Sequence, residues 1–426
     1  IGVRSYQVRH HPISALLGAS AQVHLTPTEI PRVVGGGRLM FRAALHELDG
    51  APTSGRALVF ASVSGYAGMT VGRPAEFRAT IGRPSRRDLT VAVLSATGRP
   101  ELGDPSSLQR AAHRIRVGFT DAARAALPPD QAAMLPALVL GDTSTVTGTT
   151  TAQFRTAGLT HLTAVSGANV TIVCGALLVT AALFGPRMAV GLAALGLIGF
   201  VVVVAPSASV LRAAAMGVVT LLAVLTHRRR QAIQALAASV VVHMELAPEL
   251  AVDVGFALSV SATAGIVVIA PVWSRRMETR GWPRPLAAAI SVAVVAQLVT
   301  APLVAGISGA FSVVAVAANL LVAAVIPPIT VLGTAAAALS ALWPPGAQFL
   351  IRFTGPEQWW QLSVARWASA APGASVPTPS GLPGVVLVAV GGVAVAVLWR
   401  WRWSRRALGG LALCLLAWAL AGALQT

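Results

Sequence analysis

The pattern of apolar and polar positions divides the chain into two parts. In residues 20–97, five short segments rich in β-branched residues partly alternate between apolar and polar side chains, and glycine-containing turns separate them. Such alternation is typical of strands buried on one face. Five strands in so short a stretch predict a small OB-like barrel, with a small sandwich as the alternative. The segments are AQVHLT, RLMFRAAL, RALVFASV, AEFRATI and LTVAVLS.

After Pro105 the apolar spacing changes to that of a helix. Apolar residues recur three or four positions apart, which indicates an amphipathic helix. A Pro-Pro-Asp sequence at 128–130 ends that helix and begins the next, which extends toward Leu140. The apolar face of the first helix consists of Leu108, Ala112, Ile115, Phe119 and Ala126.

From residue 170 onward the pattern becomes that of a polytopic membrane protein. Apolar runs recur that approach the roughly 20 residues a spanning helix needs. The predicted spans are 170–184, 188–205, 210–226, 231–247, 253–273, 286–306, 312–342, 382–399 and 407–424.

Arginine placement orients these spans. Loops that contain Arg follow the first, third, fifth and eighth spans, whereas the loops after the second, fourth and sixth contain none. Because cytoplasmic loops carry the excess of basic residues, residue 165 and everything before it are expected outside. The alternation fails if 312–342 crosses once, since the Arg-rich stretch 400–406 would then lie outside.

Pro327-Pro328, in the middle of 312–342, predicts that this stretch is a broken pair of segments, re-entrant or hairpin. Irregular backbone at membrane depth is tolerated where protein buries it or where it lines a water-filled cavity. We therefore expect 312–342 to mark a pathway. The Trp-rich segment 350–370 is expected to be an interfacial helix on the outer face.

Composition agrees with a membrane protein. The chain is 55% hydrophobic and 11% charged, whereas soluble domains carry about 25% charged residues. All 32 basic residues are Arg, and without Lys neither a P-loop nor a Schiff-base mechanism is available. The net charge of +17 is divided: residues 1–160 hold 17 Arg and 10 acidic residues, a net charge of +7, and the later arginines mostly mark topology.

Several polar residues fall within or beside the spans and are candidates for function or for structural pairing. Arg212 and Asp253 are predicted to form an ion pair, as a structural contact or as part of a pathway. His243 is expected to be a neutral core residue, and Asn319 has either a packing or a pathway role. The full set is Arg212, His243, Glu245, Asp253 and Asn319.

The stretch 158–170 (GLTHLTAVSGANV) is the most unusual, because it gathers His161, Ser166 and Asn169 at the mouth of the first span. A hydrolase would use Ser166 as nucleophile and His161 as base. The nucleophile-elbow pattern fails, since position 164 is Ala rather than Gly. We therefore expect no enzyme activity from this stretch.

These residues resemble the signature of the ComEC-type competence proteins. The resemblance covers nearly the whole chain, and five motifs follow the family's order: LVLGDTS at 138–144, FRTAGLTHLTAVSGANV at 154–170, PSASVLRAAAM at 206–216, DVGFALSVSATAGI at 253–266, and the stretch from TAPLVAGISGAFS to Pro327 at 300–327. Many members also carry a metallo-β-lactamase-like domain with an HxHxDH metal motif. The sequence has no such motif, so we expect no nuclease activity, metal or cofactor.

The resemblance implies a channel that carries single-stranded transforming DNA across the bacterial cell membrane. We expect residues 1–104 to form an OB-like extracellular domain, 105–165 a helical connector and 166–426 the transmembrane channel domain. The implied partners are single-stranded DNA, the lipid bilayer, a competence DNA receptor, a cytoplasmic ATP-driven translocase and a second copy in a homodimer. The alternative function is a secondary transporter for a small anionic solute.

The resemblance places polar residues of the translocation pathway or its motifs at seven positions: His161, Ser166, Asn169, Arg212, Asp253, Asn319 and Pro327. For the OB-like domain, a basic groove with stacked aromatic rings is the usual way to bind a single strand. The candidates for that role are Arg38, Arg42, Arg78, Phe41 and Phe77, with Phe60 and Tyr66 as further aromatic candidates, and alternation suggests that some of these rings lie in the core.

Overall fold

The computed structural model describes residues 11–84, 90–163, 165–204, 208–225 and 232–398. The strands are β1 (Ser20–Pro27), β2 (Arg32–Val34), β3 (Arg38–Leu48), β4 (Ala51–Ser62), β5 (Ala75–Gly82), β6 (Thr90–Leu102), β7 (Ala310–Ser312) and β8 (Ser375–Pro377). The predicted span 407–424 and the Arg-rich stretches 228–230 and 400–406 lie outside the described residues.

The helices follow the barrel in sequence, apart from one short turn within it. They are α1 (Val63–Tyr66), α2 (Ser107–Ala126), α3 (Pro129–Leu140), α4 (Gly148–Thr156), α5 (Gly167–Ala181), α6 (Pro186–Val204), α7 (Ala208–Leu225), α8 (Ala232–Leu246), α9 (Val254–Val268), α10 (Ala270–Glu278), α11 (Arg284–Ser308), α12 (Ala315–Ala323), α13 (Ile326–Ser340), α14 (Pro344–Arg352), α15 (Gly355–Ala370) and α16 (Leu382–Leu398).

The N-terminal part is a closed five-strand barrel, as the alternating pattern predicts. The order around the barrel is β1-β5-β6-β4-β3, and β3 pairs back to β1. The pairing of β4 with β6 is parallel, whereas the other neighbours are antiparallel. This Greek-key arrangement is that of an OB-like barrel, so the barrel prediction is confirmed over the sandwich.

Aromatic side chains fill the barrel. Phe41 and Phe77 are almost completely buried, and Tyr66 packs edge-to-face on Phe77 with ring centroids 5.3 Å apart. In β5 the buried and outward residues alternate, which puts Phe77 inside and Arg78 outside. The prediction that Phe41 and Phe77 bind DNA is therefore wrong, because a ring inside the barrel cannot stack on a base.

Helix α2 connects the barrel to the helical part. A reciprocal capping box between Ser106 and Gln109 starts it. Ala112 and Phe119 are buried on one face as predicted, whereas Leu108, in the first turn, is 59% exposed. The buried face joins a core formed with α3 and α12 to α15. Helix α3 is the interior element of that core, since every residue from Met134 to Leu140 is buried.

Four stretches of the described chain are long and apolar enough to cross a membrane: Gly167–Phe184, Arg187–Val204, Val254–Glu278 and Arg284–Ser308. They correspond to the first, second, fifth and sixth predicted spans. Two further predicted spans contain shorter apolar helices, Ala232–Glu245 and Leu382–Ala394.

The predicted break in 312–342 is confirmed. Helices α12 and α13 meet at a 56° bend, and Pro327 and Pro328 lie in the first turn of α13, where proline leaves the preceding carbonyl groups without amide partners. On the other side of the bend, in the last turn of α12, the Leu321 carbonyl accepts a hydrogen bond from the indole Nε1 of Trp360 at 2.8 Å.

Helix α15, within the segment expected to be interfacial, is partly embedded in the protein. Leu362, Val364 and Ala365 are buried in the same core as α3, while Trp359 and Trp367 remain more than half exposed. One face of the helix therefore supports the core, and Trp359 and Trp367 project from the other face.

Replacing Phe77 by Ala should lower the free energy of unfolding of the barrel by about 3–5 kcal/mol, because it leaves a cavity among fully buried rings. Hydrogen exchange of barrel amides in the full-length protein measures this change. Arg78→Ala, the outward neighbour, is the control and should change stability by about 0.5 kcal/mol or less. Equal protection in the two variants would contradict the inward placement of Phe77.

Candidate functional site

Hydrogen bonds connect the motif stretch 158–170, and the residues just before it, to the first half of the broken helix pair. Ser312 Oγ donates to the Thr156 carbonyl at 2.7 Å, and Asn319 Nδ2 donates to the carbonyls of Ala315 at 2.8 Å and Gly158 at 3.5 Å. Gly158 has φ +71°, and a Cβ there would lie 2.4 Å from the Ala315 Cβ. Only glycine fits this contact, so Asn319 and Gly158 together dock α12 onto the motif.

Asn169, in the first turn of α5, makes a second set of hydrogen bonds between the motif stretch and a neighbouring helix. Its buried Nδ2 donates to the Leu138 carbonyl at 3.0 Å, and its Oδ1 accepts from Ser166 Oγ at 3.4 Å. Leu138 is in the last turn of α3, where carbonyl groups have no partner within the helix. The amide of Asn169 therefore joins the beginning of α5 to the end of α3.

Protein surrounds His161, and water still reaches it. Burial lowers the pKa of its imidazole, and a hydrogen bond with the backbone at Gly158 acts in the opposite direction. Its side chain nevertheless remains exposed to solvent. No hydrogen bond joins His161 to Ser166 in the described chain, where Ser166 Oγ is engaged with Asn169 instead.

Arg212, on α7, is the most unusual buried group. It is 3% exposed, and it donates to the hydroxyl of Thr263 at 3.2 Å and to that of Ser259, both on α9. Its Nε has no hydrogen-bond partner, and no acidic residue of the described ranges forms an ion pair with it. Hydroxyl groups satisfy some of its N–H donors without neutralising its charge, and an uncompensated buried charge costs several kcal/mol, of the order given for breaking a buried pair.

The predicted pair between Arg212 and Asp253 is wrong. Asp253 instead caps α9, where its Oδ1 accepts from the Phe256 amide at 2.7 Å. Its Oδ2 lies 3.8 Å from Nη1 of Arg42 on the barrel, and the same Nη1 is 3.3 Å from Glu29. Asp253 therefore connects the barrel to the membrane part, because its place before the helix puts its carboxylate beyond the end of α9.

The N-terminus of α5 lies directly beside the Arg212 guanidinium. A Cβ on Gly167 would be 3.6 Å from Arg212 Nη2. Ser166 occupies the N-cap position, yet its side chain makes no capping hydrogen bond. An uncapped helix N-terminus carries partial positive charge and unpartnered amides. Together with the buried Arg212, it forms a site whose chemistry favours an anion, above all a phosphate.

The sequence interpretation missed the buried glutamines of α15. Gln358 and Gln361 are completely buried, and both polar atoms of each side-chain amide lack a partner, as does Oε2 of Glu357. The signal was present, since Gln358 and Gln361 are three residues apart and share one helix face. The tryptophans of the same helix instead drew attention to the opposite, exposed face.

The outer surface of the barrel separates the predicted basic residues. Arg38 lies over the ring of Phe60, with its Cζ 4.8 Å from the centroid. Arg42 points outward from the same strand but is engaged with Glu29 and Asp253. Arg78 is exposed on β5, which β1 separates from β3. Of the four aromatic candidates, Phe41, Tyr66 and Phe77 are buried, and Phe60 remains as the candidate for base stacking.

Among the residues that the structure describes, no group of three or more His, Cys, Asp or Glu side chains is placed to bind a metal ion.

A family model described as "Competence protein" matches residues 138–403, which is more than half of the chain and includes the sites around His161, Arg212 and Asn319. No match was found among curated proteins or among solved structures.

Replacing Gly158 by Ala should destabilise the docking of α12 on the motif. A side chain must adopt φ +71° there, at a cost of about 1–2 kcal/mol, and must also displace Ala315, at about 1–3 kcal/mol more. Thermal unfolding of the purified protein measures the loss. Gly148→Ala is the matched control, since nothing lies within 4 Å of its Cβ position; equal melting temperatures would refute the close contact.

Acidification should destabilise the His161 region. Because the folded-state pKa of His161 lies below its usual value, the unfolded chain takes up the proton first as pH falls. The contribution to stability is complete above about pH 6.5 and decreases as pH falls toward the folded-state pKa. His161→Gln should therefore reduce the loss of melting temperature between about pH 7.5 and 5.5. An identical pH dependence in wild type and His161→Gln would rule this out.

Proposed function

The chain belongs to the competence protein family, and on that premise we propose that it is a channel for single-stranded DNA in the bacterial cytoplasmic membrane during natural competence. The observation that carries the proposal is the positive site formed by Arg212 and the uncapped N-terminus of α5, inside the region that the family model matches. Translocation requires no covalent chemistry from the protein. It requires a hydrated path and positions where a phosphate is attracted without being held permanently.

The energetics of Arg212 suit a transient ligand. A cation buried without a counter-ion is unfavourable in the empty protein, so a phosphate entering the site gains charge-assisted hydrogen bonds and removes that cost. Arg212 already donates to two hydroxyl groups, which keep its guanidinium in place between successive phosphates. A carboxylate partner would compete with DNA, and within the described chain Asp253 points toward the barrel instead.

The kinked pair α12–α13 supports a path through the helical part. Non-helical backbone at membrane depth is tolerated where protein surrounds it or where it lines a cavity. Asn319 joins α12 to the motif through its hydrogen bond to the Gly158 carbonyl, and α13 also packs against α5, which carries the uncapped N-terminus. The motif, the kink and the positive site therefore form one connected region.

We propose that the barrel is extracellular. Arg116 of α2 donates to the Val203 carbonyl at 2.6 Å, so α2 lies at the C-terminal end of α6. Arg187 lies at the opposite end of that helix, and loops that contain Arg are typical of the cytoplasmic side. Asp253, at the N-terminal end of α9, contacts the barrel, and the alternation of spans puts this end on the same side as Val203.

The proposal includes partners that supply what the channel does not. A DNA receptor would deliver the strand, and a cytoplasmic ATP-driven translocase would pull it, because the sequence has no P-loop lysine. The bilayer surrounds the helical part, and a homodimer is the proposed assembly.

A secondary transporter for a small anionic solute is the second candidate, and the same buried Arg212 favours it. Transporters direct helix N-termini toward anionic substrates from discontinuous helices near mid-membrane. The two candidate functions differ in the transported species: a transporter would move inorganic phosphate or a small organic anion and would be unaffected by DNA.

Arg212→Gln should lower DNA uptake at least about 10-fold, the loss expected when one charge-assisted contact worth about 1.5–3 kcal/mol is removed. The measurement is nuclease-resistant labelled DNA in a naturally competent strain that carries the variant in place of its own deleted copy. Arg212→Lys should retain part of the uptake, and the exposed Arg275→Gln should equal wild type. Arg212→Gln removes the cost of the buried charge together with its hydrogen bonds to two hydroxyl groups, so the melting temperature of each variant is measured in parallel to separate loss of the site from loss of folding.

Two results would contradict the proposal. Normal uptake in the Arg212→Gln strain would show that DNA does not pass this site. Solute flux by the purified wild-type protein in proteoliposomes, together with normal DNA uptake in the deletion strain, would favour the anion transporter.

A further inference from the structure

A cavity of about 460 Å³ lies between the barrel and helix α2, within the usual size of ligand sites. Its barrel side is formed by residues that follow α1, and its helical side by the outward face of α2. Gly72, with φ +80°, brings the barrel backbone so close that the Gln109 side chain packs directly against it. The residues around the cavity are Ala67, Gly68, Thr70, Arg73, Pro105, Gln109, Arg110, His113 and Arg114.

The lining is strongly basic. It contains three arginines and one histidine, and none of its residues, all in the described part of the chain, is acidic. On α2, Arg110, His113 and Arg114 are three and four positions apart, so they share the face opposite the buried Ala112 and Phe119. Arg73 faces them from the barrel side.

Two of these arginines are held in place by the backbone. Arg73 Nε donates to the Gly103 carbonyl at 3.0 Å, and Arg110 Nη1 donates to the Pro105 carbonyl at 2.6 Å. Each bond uses one of the five N–H donors of a guanidinium. The rest of each planar fork suits a phosphate, which arginine binds through paired hydrogen bonds. The positions of Arg73 and Arg110 are therefore set before any ligand arrives.

We propose that this cavity binds backbone phosphates of the incoming single strand, at the point where the strand leaves the barrel for the membrane part; the inference rests on the proposed function. The adjoining surface favours DNA over a lipid headgroup. Strand β4 carries Phe60, over whose ring Arg38 lies, and the short helix α1 leads from the end of β4 directly to Ala67 at the cavity. A single strand uses both features, because its bases stack on aromatic rings while its phosphates bind arginines.

The test measures binding of a fluorescein-labelled oligothymidylate of about 15 nucleotides, within the site size of an OB fold, to the full-length protein in nanodiscs of neutral lipid. The dissociation constant is determined at several salt concentrations. For single strands the logarithm of affinity falls with the logarithm of salt at about 0.7 per phosphate contact. The double variant Arg110→Gln/Arg114→Gln should therefore lose about 1.4 from the slope and bind about 25-fold more weakly at 0.1 M salt.

Two further variants separate binding from folding. Arg110→Lys/Arg114→Lys keeps both charges and should keep the slope. Arg124→Gln, on the same helix outside the cavity with its side chain 59% exposed, should behave as wild type in both slope and affinity. Melting temperatures should be equal in all variants, because Arg110 and Arg114 are exposed.

The outcomes distinguish this inference from the proposed function, since DNA uptake by the same variants is measured in parallel. If wild type binds and takes up DNA while Arg110→Gln/Arg114→Gln keeps the wild-type salt slope, the cavity is not a phosphate site and the channel proposal stands. If the double variant loses affinity for anionic-lipid vesicles but not for the oligonucleotide, the cavity binds lipid headgroups and the inference is wrong. If wild type neither binds nor takes up DNA, the proposed function fails first.

Discussion

The carbonyl groups at the C-terminal ends of helices have no amide partners within the helix and need other hydrogen-bond donors. Much of this structure depends on which side chains provide those donors. In the helical part, side chains from distant segments donate to carbonyl groups that no helix satisfies: Asn169 to the end of α3, Asn319 to the motif loop, Trp360 to the end of α12 and Arg116 to the end of α6. Each such bond joins two elements as it satisfies a carbonyl. The main structural role of these polar residues is therefore to hydrogen-bond neighbouring elements, which holds the kinked helix pair and the motif against α3 and α5.

Arg212 does not follow this rule. Its hydrogen bonds go to hydroxyl groups, its Nε has no partner, and its charge has no acidic neighbour in the described chain. Under the proposed function, this uncompensated cation is where an entering phosphate would gain most from binding. The uncapped N-terminus of α5 beside Arg212 increases the positive potential at this site. The hydrogen bonds of Asn169 and Asn319 hold the surrounding helices in place. Structure and proposed function meet at this site, because no carboxylate of the described chain pairs with Arg212 and would compete with a phosphate.

Much of the fold was readable from periodicity. Alternation predicted the five barrel strands, the change of spacing after Pro105 predicted α2, and apolar length together with the paired prolines predicted the spans and the break. The candidate site was only partly readable. Arg212 was identified as a costly residue, but its partner was assigned wrongly, because sequence distance does not reveal that Asp253 caps a helix and faces Arg42. Phe41 and Phe77 were assigned to the wrong side of the barrel wall, although the alternation of β5 contained the answer for Phe77.

The sequence by itself determined the division into a barrel and a membrane part, the approximate spans and the family resemblance, since these depend on local spacing and on the order of motifs. Only the tertiary structure decided which polar groups meet. It brings Gly167 beside Arg212, places α2 opposite the barrel to enclose a basic cavity, and buries Gln358 and Gln361 on a helix whose tryptophans pointed to the surface. The physical reason is that a side chain's partner is set by packing between segments far apart in the chain, whereas periodicity reports only which face of a segment is buried.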